Sequence, residues 1–258
     1  MTDLATIDLQ PVIAGQPDPL LFATVSGAHL YGFPSRDSDV DLRGVHLLPA
    51  EELLGLREPE ETRSRMWTRD GVEMDLVTHD LRKFVRLMLR RNGYVLEQLL
   101  SPLVVHTSGT HAELVALAPG VLTSHHAHHY RGFAETQWRL FGKTGELKPL
   151  LYTFRVLLTG IHLMRSAEVQ ADLPTLTGEV AEAPSYLSEL IGAKSAAEHG
   201  ALEPTGVARE RIAEDVERLR AVLDDAQAAT TLPDRPGERV HHDLHGLVVR
   251  SRLSAAPA

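Results

Sequence analysis

Short apolar runs and two-residue alternation dominate the chain as far as about residue 108, and a three-to-four-residue period takes over beyond it. These are the periods of strands and of helices respectively. Leu20-Leu21-Phe22-Ala23-Thr24-Val25 follows the turn signal Gln16-Pro17-Asp18-Pro19 and reads as a buried strand. A second strand, roughly 39–48, ends in Val45-His46-Leu47-Leu48 and stops at Pro49. Pro49 to Gly55 fits a short helix, with proline early and glycine closing it. Thr62–Trp67 and Gly71–Val77 read as two strands joined through Thr68-Arg69-Asp70-Gly71, whose Asp-Gly suits a hairpin. Asp80 is placed to cap a helix over Leu81–Arg91, with Leu81, Phe84, Val85, Met88 and Leu89 at i, i+3, i+4 spacing. Asn92-Gly93 ends it, and a further helix covers about 94–100.

Beyond Ser108 the pattern predicts helices at about 110–118, 124–142, 148–168, 185–191 and 206–228, separated by loops with proline and glycine. The expected class is therefore α+β: a mixed sheet with flanking helices, then a helical subdomain. The boundaries drawn are 1–108 for the α/β domain, 109–253 for the helical domain and 254–258 for a disordered tail. Residues 1–19 are weakly patterned, and no internal repeat or low-complexity tract occurs.

Composition narrows the functional classes. At 258 residues and 43% hydrophobic content, the chain can bury a sizeable core. Its 26 Lys and Arg stand against 35 Asp and Glu, a formal net charge of −9, which argues against coating of long nucleic acid by the whole surface. Aromatics at 5% leave little material for a base-stacking platform. The absence of cysteine removes disulfides, Cys-ligated zinc and Cys nucleophiles, and fits a reducing cytoplasm. Met1-Thr2-Asp3-Leu4-Ala5 has neither the basic nor the apolar region of a signal peptide, and no apolar stretch is long enough for a membrane span. The expectation is a soluble cytoplasmic protein with no membrane partner.

Three acidic residues carry the chemistry. Asp39 and Asp41 lie in Ser38-Asp39-Val40-Asp41-Leu42, and Asp75 lies in Val72-Glu73-Met74-Asp75-Leu76-Val77. On a strand Asp39 and Asp41 share a face, about 7 Å apart. A third carboxylate from a neighbouring strand would complete an oxygen-lined site of the kind that suits Mg²⁺ carried in with a nucleoside triphosphate. Glu73 shares a face with Asp75 and is the alternative third ligand. Upstream lies the glycine-rich turn Gly27-Ala28-His29-Leu30-Tyr31-Gly32.

A glycine turn, about ten residues, Asp-x-Asp and a later third Asp resemble the DNA polymerase β-type nucleotidyltransferase superfamily. The finer match joins that glycine-rich turn to Ser38-Asp39-Val40-Asp41-Leu42-Arg43-Gly44-Val45. It resembles the RNA repair pathway DNA polymerase β family, with its Gly-Ser-His-x-Tyr-Gly and Ser-Asp-x-Asp-x-Arg-Gly. The similarity continues through Leu81-Arg82-Lys83-Phe84 and, more faintly, Leu150-Leu151-Tyr152-Thr153-Phe154-Arg155. The resemblance implies a nucleotidyltransferase domain over 1–108 that moves an NMP from an NTP to an acceptor hydroxyl, with an RNA end as the acceptor. It implies a two-metal-ion mechanism with Mg²⁺ or Mn²⁺, Asp39 and Asp41 bridging the ions, and Asp75 holding the second near the acceptor. Backbone N–H groups of the Gly27-Ala28 turn, with Ser38, would meet the phosphates. Ala28 departs from the family serine, which removes one hydroxyl hydrogen bond, about 1 kcal/mol of triphosphate binding.

Other clusters admit two readings. Lys148, Tyr152 and Arg155 recur at i, i+4, i+7 on an otherwise apolar helix, either as satisfied interdomain polar contacts or as nucleotide or acceptor recognition; Lys194 is a further candidate. Arg82, Lys83, Arg86, Arg90 and Arg91 form a solvated face or a basic edge that steers polyphosphate. His125-His126-Ala127-His128-His129 and His241-His242-Asp243-Leu244-His245 read as surface histidines; His125 and His129, at i, i+4, are spaced for zinc, but no further ligand set accompanies them. Two functions compete with NMP transfer to RNA: NMP transfer to a protein side chain, and an inactive nucleotide-binding scaffold. The particular NTP and the oligomeric state are not encoded in these patterns.

Overall fold

The computed structural model describes residues 7–35, 37–196, 202 and 205–254. Its elements begin with helix α1 (Gln10–Ala14), strand β1 (Leu20–Val25), the helical turn α2 (Gly27–Leu30), β2 (Val40–His46), α3 (Ala50–Leu54), β3 (Thr62–Arg69) and β4 (Val72–Asp80). They continue with α4 (Leu81–Met88), α5 (Gly93–Leu99), β5 (Val104–His106) and α6 (Gly109–Leu117). Helices α7 (His126–Thr144), α8 (Leu147–Ser166), α9 (Leu173–Glu179), α10 (Leu187–Ala196), α11 (Arg209–Ala229) and α12 (Glu238–Ser254) complete the chain. The protein is thus α+β, a mixed sheet with flanking helices and a helical C-terminal region.

The sheet order is β3-β4-β2-β1-β5. Strands β1 and β2, β3 and β4, and β1 and β5 pair antiparallel, whereas β2 and β4 run parallel. The β3–β4 hairpin forms where Asp-Gly predicts it: Asp70 and Gly71 have φ of 51° and 81°, the positive values that a two-residue hairpin turn requires. Asp80 caps α4 by accepting from the Arg82 amide at 2.9 Å. That helix ends at Met88 instead of Arg91, because Asn92 adopts an extended backbone to cap α5, its side chain accepting from the Tyr94 amide. Four elements went unread in the sequence: α1, β5, α9 and α12. Ser254, expected in a tail, closes α12, and the other tail residues, 255–258, lie outside the described set.

Contacts group the described residues into two compact units. One comprises, of the described residues, 7–27, 39–121 and 236–254; it contains α1, the sheet, α3 to α6 and α12. The other comprises Ala28–Ser38 and Leu122–Arg235, with α7 to α11.

In the sheet unit, alternation buries Val40 and Leu42 of β2 with Met74 and Leu76 of β4. Phe22 of β1 meets Phe84 of α4 edge-on at 5.4 Å and stacks on His111 of α6 at 4.5 Å. Helix α12 packs on α6 and α4 and buries Val240, Leu244 and Leu247. It also supplies Arg252, which donates through Nη2 to both Asp80 oxygens at 3.0 and 2.9 Å and through Nη1 to the Leu48 carbonyl. Asp80 is fully buried and Arg252 nearly so. In the helical unit α8 is the central element, buried from Leu147 to Met164 against α7 and α11. Among the described residues no helix is long and apolar enough to cross a membrane.

Removing one partner of a buried ion pair strands the other charge. Arg252→Met should therefore cost about 3–5 kcal/mol in urea unfolding; a loss indistinguishable from that of an exposed Arg239→Met control would refute the role given to the pair. Acid should destabilise the protein as well. Burial, reinforced by the positive charge of Lys83, pushes His79 down to about 4 from 6.5, and burial with His126 and Arg155 does the same to His129. Between about 6.5 and about 4 the unfolded chain binds protons that the native chain refuses, so stability falls with pH across that window. Melting temperatures measured from pH 7 to pH 4 should decline, and the decline should be shallower in the His79→Gln, His129→Gln double variant.

Candidate active site on the sheet face

Strands β2 and β4 lie in parallel register with Asp41 beside Asp75 and Val40 beside Met74. The buried residues Val40, Leu42, Met74 and Leu76 face the core, so Asp41 and Asp75 emerge together on the other face. Glu73 is exposed and pairs with Thr68 of β3, so the register places Asp75 beside Asp41 and Glu73 farther out. Asp39 is half-buried one step before β2, and the order Asp39, Val40, Asp41, Leu42 alternates half-buried with buried.

Two carboxylates on neighbouring strands repel unless a cation stands between them. Here that cation is Arg43, two residues after Asp41 and therefore on the same face. Its Nη2 donates to Asp41 Oδ1 at 2.6 Å and to Asp75 Oδ2 at 2.8 Å. Nη1 donates to the carbonyls of Leu42 and Asp75, each at 2.9 Å, and Nε to the Tyr94 hydroxyl at 3.0 Å. All five N–H donors of the guanidinium are used. Burial opposes its charge, but Tyr94, Asp41 and Asp75 outweigh burial and raise its pKa above the ordinary arginine value. Side-chain exposures of 10% for Arg43, 17% for Asp41 and 22% for Asp75 describe a cluster at the surface but largely withdrawn from water.

Gly27 explains how Asp41 fits. The glycine has φ +61°, and a Cβ there would lie 1.8 Å from Asp41 Oδ2. The Ser26 amide donates to the Asp41 carbonyl at 2.8 Å, which holds the backbone against the carboxylate. Beyond Asp75 the same face continues to Met66 of β3, its cross-strand partner, which is 76% exposed.

Ala28, Ser38, Lys148, Tyr152, Arg155 and Lys194 belong to the helical unit, and the basic residues of α4 to the sheet unit. Ala28 is buried, and its carbonyl accepts from the Phe33 amide. Ser38 is also buried: its hydroxyl accepts from the Ser35 amide, lies 2.9 Å from the Ser35 hydroxyl and receives Lys194 Nζ at 3.5 Å. Lys194, fully buried, donates to Ser35 at 3.0 Å. On α8, Tyr152 meets Tyr31 and Phe33 edge-on at 5.4 and 5.6 Å, and the buried guanidinium of Arg155 lies 3.7 Å from the centre of the Tyr31 ring. Lys148 is half-buried a turn earlier. Arg82 and Arg86 both pair with Glu61, and Lys83 donates to Thr62.

The oxygen donors Asp39, Asp41 and Asp75 suit a hard divalent cation by chemistry. Among the described residues, however, no group of three or more His, Asp or Glu is gathered closely enough to hold a metal ion. The structure pairs Asp41 with Asp75 and fills the space between them with Arg43. Sequence reasoning met Arg43 only as part of the family motif, without a role, and passed over Tyr94. Arg43 had a signal: it shares the parity of Asp39 and Asp41. Tyr94 had none, since only the packing of α5 brings it close.

Comparison with known proteins identifies the family of the chain. Residues 1–250 match the sequence model of the RNA repair pathway DNA polymerase beta family. An uncharacterised protein of Methanocaldococcus jannaschii, MJ0002, is 29% identical over 227 residues, spanning 84% of this chain and 88% of that one. The uncharacterised protein YcgL of Bacillus subtilis is 27% identical over 184 residues, 66% of each chain. A crystal structure of a nucleotidyltransferase-like protein from Exiguobacterium sibiricum covers 86% of this chain and 72% of its own at 11% identity, with a TM-score of 0.31.

Gly27→Ala should lower stability by about 1–2 kcal/mol from the left-handed backbone alone, and it should also displace the Asp41 carboxylate. Chemical denaturation would check the first effect and a crystal structure of the variant the second. A variant of unchanged stability with Asp41 in place would contradict the close approach described.

Proposed function

The chain belongs to the RNA repair pathway DNA polymerase beta family, and from that premise we propose that it is a Mg²⁺-dependent nucleotidyltransferase. It moves an NMP from an NTP to an acceptor hydroxyl, with an RNA end as the acceptor. The observation that carries this reading is the in-register Asp41–Asp75 pair on one sheet face, with half-buried Asp39 on the same parity just upstream.

Nucleotidyl transfer builds negative charge on the α-phosphorus and on the departing pyrophosphate. A divalent cation, when bound, supplies positive charge to the polyphosphate. In this reading Asp39 and Asp41 hold it, and Asp75 serves the acceptor side. The residues' own work is positional. Parallel pairing holds Asp41 and Asp75 on rigid backbone, Gly27 leaves room for the Asp41 carboxylate, and Arg43 fixes one oxygen of each partner. Ser38 is committed to Ser35 and Lys194, which favours shaping of the Ser35–Ser38 loop over direct phosphate contact. Tyr152 and Arg155, assembled with Tyr31, and Lys148 on the same helix are proposed contributors to nucleotide recognition.

Incubation with α-labelled NTPs, Mg²⁺ or Mn²⁺ and either RNA or protein acceptors tests the proposal. Label on RNA is the expected result. Label on a protein instead would replace the acceptor with a side chain, and no pyrophosphate release with any acceptor would leave a nucleotide-binding scaffold. Asp41→Asn and Asp39→Asn should each reduce transfer by about 100-fold or more while the fold is kept. Asp75→Asn should lower the single-turnover rate far more than the NTP affinity. Glu73→Gln should stay near the unsubstituted rate; the reverse ranking of these last two would make Glu73 the third carboxylate.

A further inference from the structure

The space between Asp41 and Asp75, where an ion shared by both carboxylates would sit, contains the Arg43 guanidinium. We infer that Arg43 is a built-in second cation, so that the site takes a single exchangeable divalent ion in place of the pair that the superfamily resemblance implies. The inference rests on the nucleotidyltransferase reading for the identity of the reaction, but its geometry stands apart from it.

Two observations carry it. One nitrogen, Nη2, bridges both carboxylates at 2.6 and 2.8 Å, so the midpoint of the pair is already occupied by positive charge. The guanidinium is also anchored, unlike a surface arginine free to swing aside. Its other donors are spent on two main-chain carbonyls and the Tyr94 hydroxyl, and its side chain is only 10% exposed. Withdrawing it would leave the Leu42 and Asp75 carbonyls without those donors and the two carboxylates facing each other. Arginine suits this duty because it stays protonated beside any phosphate and its planar fork reaches two acids at once.

Arg43 thereby divides the labour of the site. It fixes the inner oxygen of each carboxylate and steadies charge on the acceptor side. Asp39 and Asp41 would hold the ion that enters with the triphosphate.

The test counts manganese ions bound to the full-length protein in the presence of a non-hydrolysable NTP analogue, by calorimetry and by electron paramagnetic resonance. The unsubstituted protein should bind one Mn²⁺ per chain, with no spin-coupled pair. Arg43→Gln should raise the count to two and introduce coupling, whereas Arg43→Lys should keep it at one. A spin-coupled pair in the unsubstituted protein would overturn the inference whether or not the variants fold. So would a count that stays at one in a folded Arg43→Gln protein. Nucleotide transfer measured on the same samples separates the two claims. Absence of transfer with counts of one and two would sink the proposed reaction and leave the role of Arg43 standing. Transfer with two ions in the unsubstituted protein would do the reverse.

Discussion

Parallel pairing of β2 with β4 sets two aspartates side by side, and the arginine between them makes that pairing tenable. Like charges on adjacent strands would otherwise favour a slipped register or protonation of one partner. A slip of β4 by one residue would turn Met74 and Leu76 out of the core, and a slip of β2 would do the same to Val40 and Leu42, so the apolar face and the charged face specify the same register. The site and the core are consequences of one alignment.

The same pair of strands carries a second arginine–aspartate interaction at its other end, with a different meaning. Asp80 has the opposite parity to Asp75 and so points to the core face, where it is fully buried. A carboxylate there needs a cation and several donors. It obtains them from Arg252 on α12, the Leu48 amide and the Arg82 amide of α4, which it caps. Fixing the last helix of the chain to the end of a central strand is thus an electrostatic requirement as much as a hydrophobic one. Asp41 and Asp75, by contrast, keep partial contact with water, which is what exchange of an ion or a substrate demands.

In the helical unit the segment Ala28–Ser38 is bound to its surroundings by equally specific contacts. The Tyr31 carbonyl accepts from the Leu173 amide, the Tyr31 ring carries Arg155, and Ser35 and Ser38 receive Lys194. Four of the thirteen aromatic residues of the chain, Tyr31, Phe33, Phe133 and Tyr152, form one cluster. A low overall aromatic content therefore conceals a local concentration.

What the sequence alone determined was whatever depends on near neighbours. The Asp70-Gly71 turn, the Asp80 cap, the shared parity of Asp39 and Asp41 and the long helices at α7, α8 and α11 all follow from local sterics, capping and periodicity, and all were legible. Helix α12 was not, because its apolar residues are sparse and its histidines draw the eye; its place is decided by a buried Asp80 more than 170 positions away. Strand β5 escaped notice because three residues make a strand only when β1 is there to pair with them. The interleaving of the compact units along the chain likewise depends on long-range packing that no period records. Arg43 shows the division most clearly. Alternation puts it on the face of Asp41, but only the parallel register brings Asp75, and only the packing of α5 brings Tyr94. Composition and spacing supply the charges; tertiary structure decides which of them meet, because pairing between strands is a choice among distant segments that local chemistry leaves open.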